Sequence, residues 1–187
     1  MIKCGNWPIG CCSWPLGNDL DKLNLLREQT GINTINLGLW PILDDKDETY
    51  LKRAKKGGWD INATAFGFPQ ESYASIEIIK ATGGIVDDRY WEVNRKIALT
   101  AIGMTADLGA PYTAFHFGFM DQNDVPAFKK LMDKVRVLAD AAVKKNVTLL
   151  METGQETAES LAKFVKDINH PAVGVNLDPG NMILYNR

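Results

Sequence analysis

Two carboxylates carry the clearest chemical signal. Glu152 follows Thr148-Leu149-Leu150-Met151, and Asp178 follows Val173-Gly174-Val175-Asn176-Leu177. Both runs read as strands of a parallel sheet, expected to be buried on both faces. A carboxylate ending such a run needs a metal or a positive group to offset its desolvation. At the same level of adjacent parallel strands, about 4.8 Å apart, the pair could ligate one divalent cation. Helix capping accounts for the same positions: Asp178 stands before Pro179, and Glu152 could accept from local backbone amides. Spacing alone leaves both readings open.

Other side chains suit a sugar site or an ordinary core. His116, after Thr113-Ala114-Phe115, is either a hydrogen-bonded core histidine or a group facing substrate. Trp14, Trp40, Phe66 and Phe68 fall near strand ends, where they would stack on the apolar face of a sugar or simply pack. His170, before Pro171, reads as a solvated turn residue. Lys52, Arg53, Lys55 and Lys56 read as a solvated basic helix face, with no interleaved aromatics of the kind a nucleic-acid surface uses.

The elements that must hold these groups alternate. Strands are predicted at residues 9–14, 33–37, 59–66, 112–117, 147–151 and 173–177. Helices are predicted at 20–29, 50–56, 89–108, 125–145 and 157–167, with another opening at Asn181 and running to Arg187. Residues 69–88 read as irregular, with a turn at Gly83-Gly84. Strands separated by helices imply parallel pairing through right-handed crossovers. The fold class is therefore α/β, a TIM-barrel-type (β/α) repeat in a single domain over residues 1–187. A (β/α)₈ barrel takes roughly 250 residues, about 31 per unit, so this length corresponds to about six of eight units. An open doubly wound sheet is the alternative, but its GxGxxG fingerprint is missing after the first strand, and no Walker loop is present.

The composition, 45% hydrophobic and 24% charged with a net charge of −2, excludes a disordered tail, a disulfide scaffold and a strongly basic nucleic-acid binder. No apolar run is long enough for a signal peptide or a membrane span. Cys4, Cys11 and Cys12 are odd in number and poorly placed for pairing, so reduced thiols and a cytoplasmic location are expected.

Two motifs resemble a known family. Glu152-Thr153-Gly154-Gln155-Glu156 after one strand and Asn176-Leu177-Asp178-Pro179-Gly180-Asn181 after the next are similar to the sugar phosphate isomerase/epimerase group of the xylose isomerase-like barrels. Gly67-Phe68-Pro69-Gln70-Glu71-Ser72-Tyr73, followed by Thr82-Gly83-Gly84, resembles a loop of the same family. The resemblance implies a divalent cation, Mn²⁺ or Mg²⁺, with Glu152 and Asp178 as ligands and Glu152 also as acid/base. His116, Trp14, Phe66, Glu156 and Asn181 would then contact a small sugar or sugar phosphate.

The implied chemistry is proton transfer beside a carbonyl through an enediolate. The family's third and fourth ligands have no counterpart before Arg187, so weak metal binding and little activity are expected if the chain is complete. A keto-sugar or inositol dehydratase, and a non-catalytic barrel fragment that self-associates through exposed sheet edges, are the alternatives. Two histidines and a pI of 5.7 argue against the endonuclease branch and against a nucleic-acid partner. No membrane partner is expected.

Overall fold

The computed structural model describes residues 2–185. A short antiparallel pair, β1 (Lys3–Cys4) and β2 (Trp7–Pro8), precedes the main sheet and was not expected. The sheet comprises β3 (Gly10–Cys12), β4 (Thr34–Gly38), β5 (Asp60–Ala65), β6 (Tyr112–Phe115), β7 (Thr148–Glu152) and β8 (Val173–Asn176). All neighbours are parallel and their order along the sheet is their order in the chain. The connecting helices are α1 (Leu20–Thr30), α2 (Trp40–Leu43), α3 (Tyr50–Lys56), α4 (Ile76–Thr82), α5 (Trp91–Leu108), α6 (Val125–Val143) and α7 (Ala158–Ile168), and α8 (Pro179–Leu184) follows the last strand. Among the described residues, no helix is long and apolar enough to cross a membrane.

Local chemistry sets these boundaries. Asp19 starts α1 by accepting from the Asp21 and Lys22 amides, and left-handed Gly31 closes it. Thr157 and Asp124 cap α7 and α6 in the same way. Residues 69–88 are not irregular throughout. Ser75 accepts from the Ile78 amide and starts α4. This helix buries only Ile79, so it leaves little apolar periodicity to read. Of the expected final helix, α8 ends at Leu184, and Asn186 and Arg187 lie outside the described residues.

The largest core lies between the sheet and helices α5 to α7, where Phe66, Phe115, Phe117 and Phe164 form a chain of ring contacts. A second core joins α1 and α3 to β4 through Leu23, Ile35 and Tyr50. β7 alternates, contrary to the expectation that both its faces are buried. Leu149 and Met151 are buried, whereas Thr148, Leu150 and Glu152 are only half-buried. That second face looks into the interior of the curled sheet.

The segment after α4 is fastened to the end of β6. The Ile85 amide donates to the Phe117 carbonyl at 3.0 Å. Gly84, with φ of +67°, lies so close to residues 117–118 that a Cβ would stand 2.3 Å from the Gly118 nitrogen. From the other side, the buried Lys134 ammonium of α6 donates to the Ile85 and Val86 carbonyls at 2.9 and 2.8 Å, and it pairs with Asp88. Lys134→Met would leave those carbonyls without a donor and is expected to cost about 2 kcal/mol, read by urea denaturation. Asp88→Asn changes only the exposed end of this network, and its midpoint should shift far less; equal shifts would refute the role given to the carbonyls.

Candidate functional site

Strands β4 to β8, with the residues that follow β3, surround one inner chamber of about 240 Å³ at their C-terminal ends. Asn36 comes from β4, Ala65 from β5 with Phe66 just after it, Ala114 from β6 with His116 just after it, Glu152 from β7 and Asn176 from β8; Trp14 follows β3. Trp40, Glu71 and Tyr73 close it from the loops. A wider outer chamber of about 500 Å³ shares Trp14, Tyr73 and Glu152 and adds Asp178, Asn181 and Tyr185. A small cavity of about 30 Å³ lies between His116, Glu152, Gln155 and Asn181.

Glu152 is the centre of this arrangement. Burial raises its carboxyl pKa, and the negative charges of Asp178 and Glu71 raise it further. Its partner in register is Asn176. Asp178 therefore lies two residues beyond, and the expectation that the two carboxylates share one level is corrected. The reason is that β8 ends at Asn176 and the chain turns at once into α8. Asp178 caps that helix: its Oδ1 accepts from the Gly180 and Asn181 amides at 2.8 and 3.2 Å. The capping reading of Asp178 thus holds, while its charge still acts on Glu152. The two strand ends are tied together, since the Asp178 amide donates to Thr153 Oγ1 at 2.7 Å and Asn181 Nδ2 to the Thr153 carbonyl at 3.0 Å.

His116 is buried, and burial pulls its pKa down to about 4, so the ring is neutral at pH 7. Its Nδ1 has no hydrogen-bond partner among the described residues. A Cβ on Gly83 would stand 2.6 Å from that nitrogen, so only glycine permits the contact. Trp14 and Trp40 meet edge to face with centroids 5.9 Å apart and wall one side of the chamber. Phe66 lines the chamber but is itself buried, with its ring stacked on Phe115 at 4.8 Å. Phe68 belongs to the core. Glu156 is buried in the wall of a separate apolar cleft of about 430 Å³ between α7 and β8, beside Leu161, Val165 and Val175. Its carboxylate nonetheless lies near the inner site: a Cβ on Gly154 would stand 3.8 Å from Glu156 Oε2 and 3.9 Å from His116 Nε2, and its charge helps to raise the Tyr185 pKa. His170 is not simply solvated: it pairs with Asp140 at 3.2 Å and accepts from the Ala172 amide.

Four residues were given no role by type and spacing. Glu71 holds the loop after β5 against Gly84: its Oε2 accepts from the Phe68 amide at 3.0 Å and its Oε1 from the Gly84 amide at 2.9 Å. Burial nevertheless raises its pKa. Asn36 Oδ1 and both amide atoms of Gln155 are buried without a partner among the described residues. Cys12, half-buried at the end of β3, has its thiol pushed up by burial and also by Glu152 and Asp178, which puts β3 close to the carboxylates across the curled sheet.

Among the described residues no three His, Cys, Asp or Glu side chains converge as a metal site. The donor set fits a hard cation in part. Glu152 and Asp178 are oxygen donors whose mutual repulsion a cation would relieve, and both hydrogen bonds that Asp178 accepts in the cap fall on Oδ1.

A parallel, curled sheet with its polar groups gathered at the C-terminal ends of the strands defines a TIM-barrel-like α/β protein. The sequence model of the xylose isomerase-like TIM barrel matches residues 26–187, and the chain belongs to that family. No curated protein matches it. Among solved structures, a xylose isomerase domain protein from Planctomyces limnophilus is 26% identical with a TM-score of 0.81, over 95% of this chain and 65% of that one. A xylose isomerase-like TIM barrel protein from Mycobacterium smegmatis, in complex with magnesium, is 22% identical with a TM-score of 0.72, over 100% and 69%. L-ribulose 3-epimerase is 21% identical with a TM-score of 0.70, over 94% and 62%. The chain thus spans 62% to 69% of the length of these three structures.

Proposed function

We propose that this chain carries a sugar-binding site of the isomerase and epimerase kind, in which Glu152 moves a proton beside a carbonyl. The supporting observation is the gathering of Asn36, His116, Glu152 and Asn176 around one chamber, where Asn36 Oδ1 and His116 Nδ1 are buried without partners among the described residues. Such atoms cost free energy unless a ligand rich in hydroxyl groups satisfies them. Glu152, whose ionised form is disfavoured by burial and by two nearby carboxylates, is suited to accept and return a proton. As it takes the proton from carbon, the electron pair moves to the carbonyl oxygen and forms an enediolate. Asn36 and Asn176 would orient hydroxyl groups, and the neutral His116 ring would hydrogen-bond without adding charge. Trp14 and Trp40 would cover the apolar face of the sugar and exclude water. Mn²⁺ or Mg²⁺, held by Glu152 and Asp178, would polarise the carbonyl.

Two carboxylates leave most coordination positions to water or substrate. Calorimetric titration should give Mn²⁺ a dissociation constant of about 10⁻⁴ to 10⁻³ M, with no measurable binding in Glu152→Gln. Proton transfer is read separately, as deuterium uptake from D₂O beside the carbonyl in a panel of ketoses. Uptake in the presence of Mn²⁺ should fall at least about 100-fold in Glu152→Gln. Equal uptake by protein and variant would overturn the role of Glu152.

A further inference from the structure

We propose that Glu71 is a positioning residue: acting through the Gly83-Gly84 turn, it sets where the His116 ring stands in the inner chamber. The inference rests on the reading of that chamber as a sugar site in which His116 meets the substrate. It starts from how closely the turn follows the end of β6. Gly83 lies against the ring itself, since a Cβ there would stand 2.6 Å from both Cε1 and Nδ1 of His116. The Ile85 amide donates to the Phe117 carbonyl at 3.0 Å, and Gly84 presses on the Gly118 nitrogen. Residues 116, 117 and 118 are each met by the turn or by the residue after it. A displacement of the turn is therefore passed to the imidazole.

The turn is fixed in its place by the loop that follows β5. Glu71 Oε1 accepts from the Gly84 amide at 2.9 Å and its Oε2 from the Phe68 amide at 3.0 Å, so one carboxylate bridges turn and loop. Gln70 Nε2 donates to the Thr82 and Gly84 carbonyls at 3.3 and 3.1 Å. From α5, the buried Asn94 donates through Nδ2 to the Gly84 carbonyl at 3.0 Å. A neutral amide could not replace the carboxylate, because one of its two polar atoms is a donor and would face a donating N–H. A buried carboxylate carries a desolvation cost that fastening an ordinary surface loop does not call for. Its charge-assisted bonds are stronger than neutral ones, and they fix the turn where it touches a side chain of the chamber. Groups that act on a substrate need such support, since placement within about 0.5 Å decides how well they work.

The test is NMR of the histidine ring signals in the full chain and in two variants. The chain has two histidines, and His170, which precedes β8, lies at the opposite end of the sheet and serves as the internal control. In Glu71→Gln the His116 signals should shift while those of His170 stay in place. Gln70→Leu breaks the same clasp without changing charge and should shift the His116 signals as well; it carries the test if Glu71→Gln does not fold. The second readout is deuterium uptake with Mn²⁺, using the ketose that the parent exchanges fastest. There Glu71→Gln should lower kcat about tenfold and change KM less than about twofold. His116 signals that move in neither variant, or only in the one that changes charge, would overturn this inference and leave the reading of Glu152 standing. A shifted ring with kcat unchanged would do the same. No uptake by the parent with any ketose would overturn the reading of Glu152, and the ring signals alone would then decide the placement of His116.

Discussion

Gly84→Ala is expected to destabilise the protein by about 3–5 kcal/mol, a large fraction of the roughly 5–15 kcal/mol that holds a domain together. Two independent penalties combine. The residue has φ of +67°, where a side chain is strained, and its Cβ would lie 2.3 Å from both the Gly118 nitrogen and the Phe117 carbonyl carbon. These are backbone atoms at the end of β6 and cannot swing aside as a side-chain tip would. The control is Gly103→Ala in the middle of α5, where nothing stands within 4 Å of the added Cβ. There alanine should add about 0.5–1 kcal/mol through the lower entropy of the unfolded chain. Urea unfolding of both variants decides the matter, and a Gly84→Ala protein as stable as the parent would refute the close approach.

The second large effect is acid lability. His116 titrates near 4 in the folded chain because it is buried, against about 6.5 when unfolded. Its folded pKa is lowered, so between these values the unfolded state binds the extra proton. Stability is therefore fully present above about pH 6.5 and falls as pH drops toward 4, by about 3 kcal/mol in all. Glu71 and Glu152 act with the opposite sign. Burial raises their pKa, so their ionisation opposes folding and acidification relieves that cost. They offset part of the histidine's effect at the lower end of the window. His116→Gln removes the imidazole alone, and its stability should depend much less on pH between 6.5 and 4. A variant whose stability falls as steeply as the parent's would assign the acid lability to other groups.

The order of strands and helices could be read from the chain because each unit is local. Its apolar period, its capping residue and its closing glycine lie within a few positions, as with Asp19 and Gly31 around α1. Glu152 and His116 were legible for a related reason. In a parallel sheet, position at the end of a strand is itself a prediction of where a side chain gathers. What escaped was relational. Glu71 was visible as a residue, but nothing local told that its carboxylate would reach the Gly84 amide 13 positions away. The offset between Glu152 and Asp178 depends on the register of β7 with β8 and on where β8 stops, and neither is encoded by the spacing of the two acids. β7 looked buried on both faces because Thr148-Leu149-Leu150-Met151 has few polar residues, yet one face turns toward the half-open interior.

Because every strand of the sheet pairs with the strand next to it in sequence, no pairing waits for a distant part of the chain. During synthesis each strand can add to an edge that has already left the ribosome, and its following helix can cover that edge's face before the next strand emerges. Assembly then resembles laying courses of masonry in order. The Lys134 contact joins residues as far apart as the paired Ala63 and Tyr112 of β5 and β6, and it seals residues 85–88 only after α6 has been made. The loop that backs His116 is therefore fully sealed only once α6 is in place.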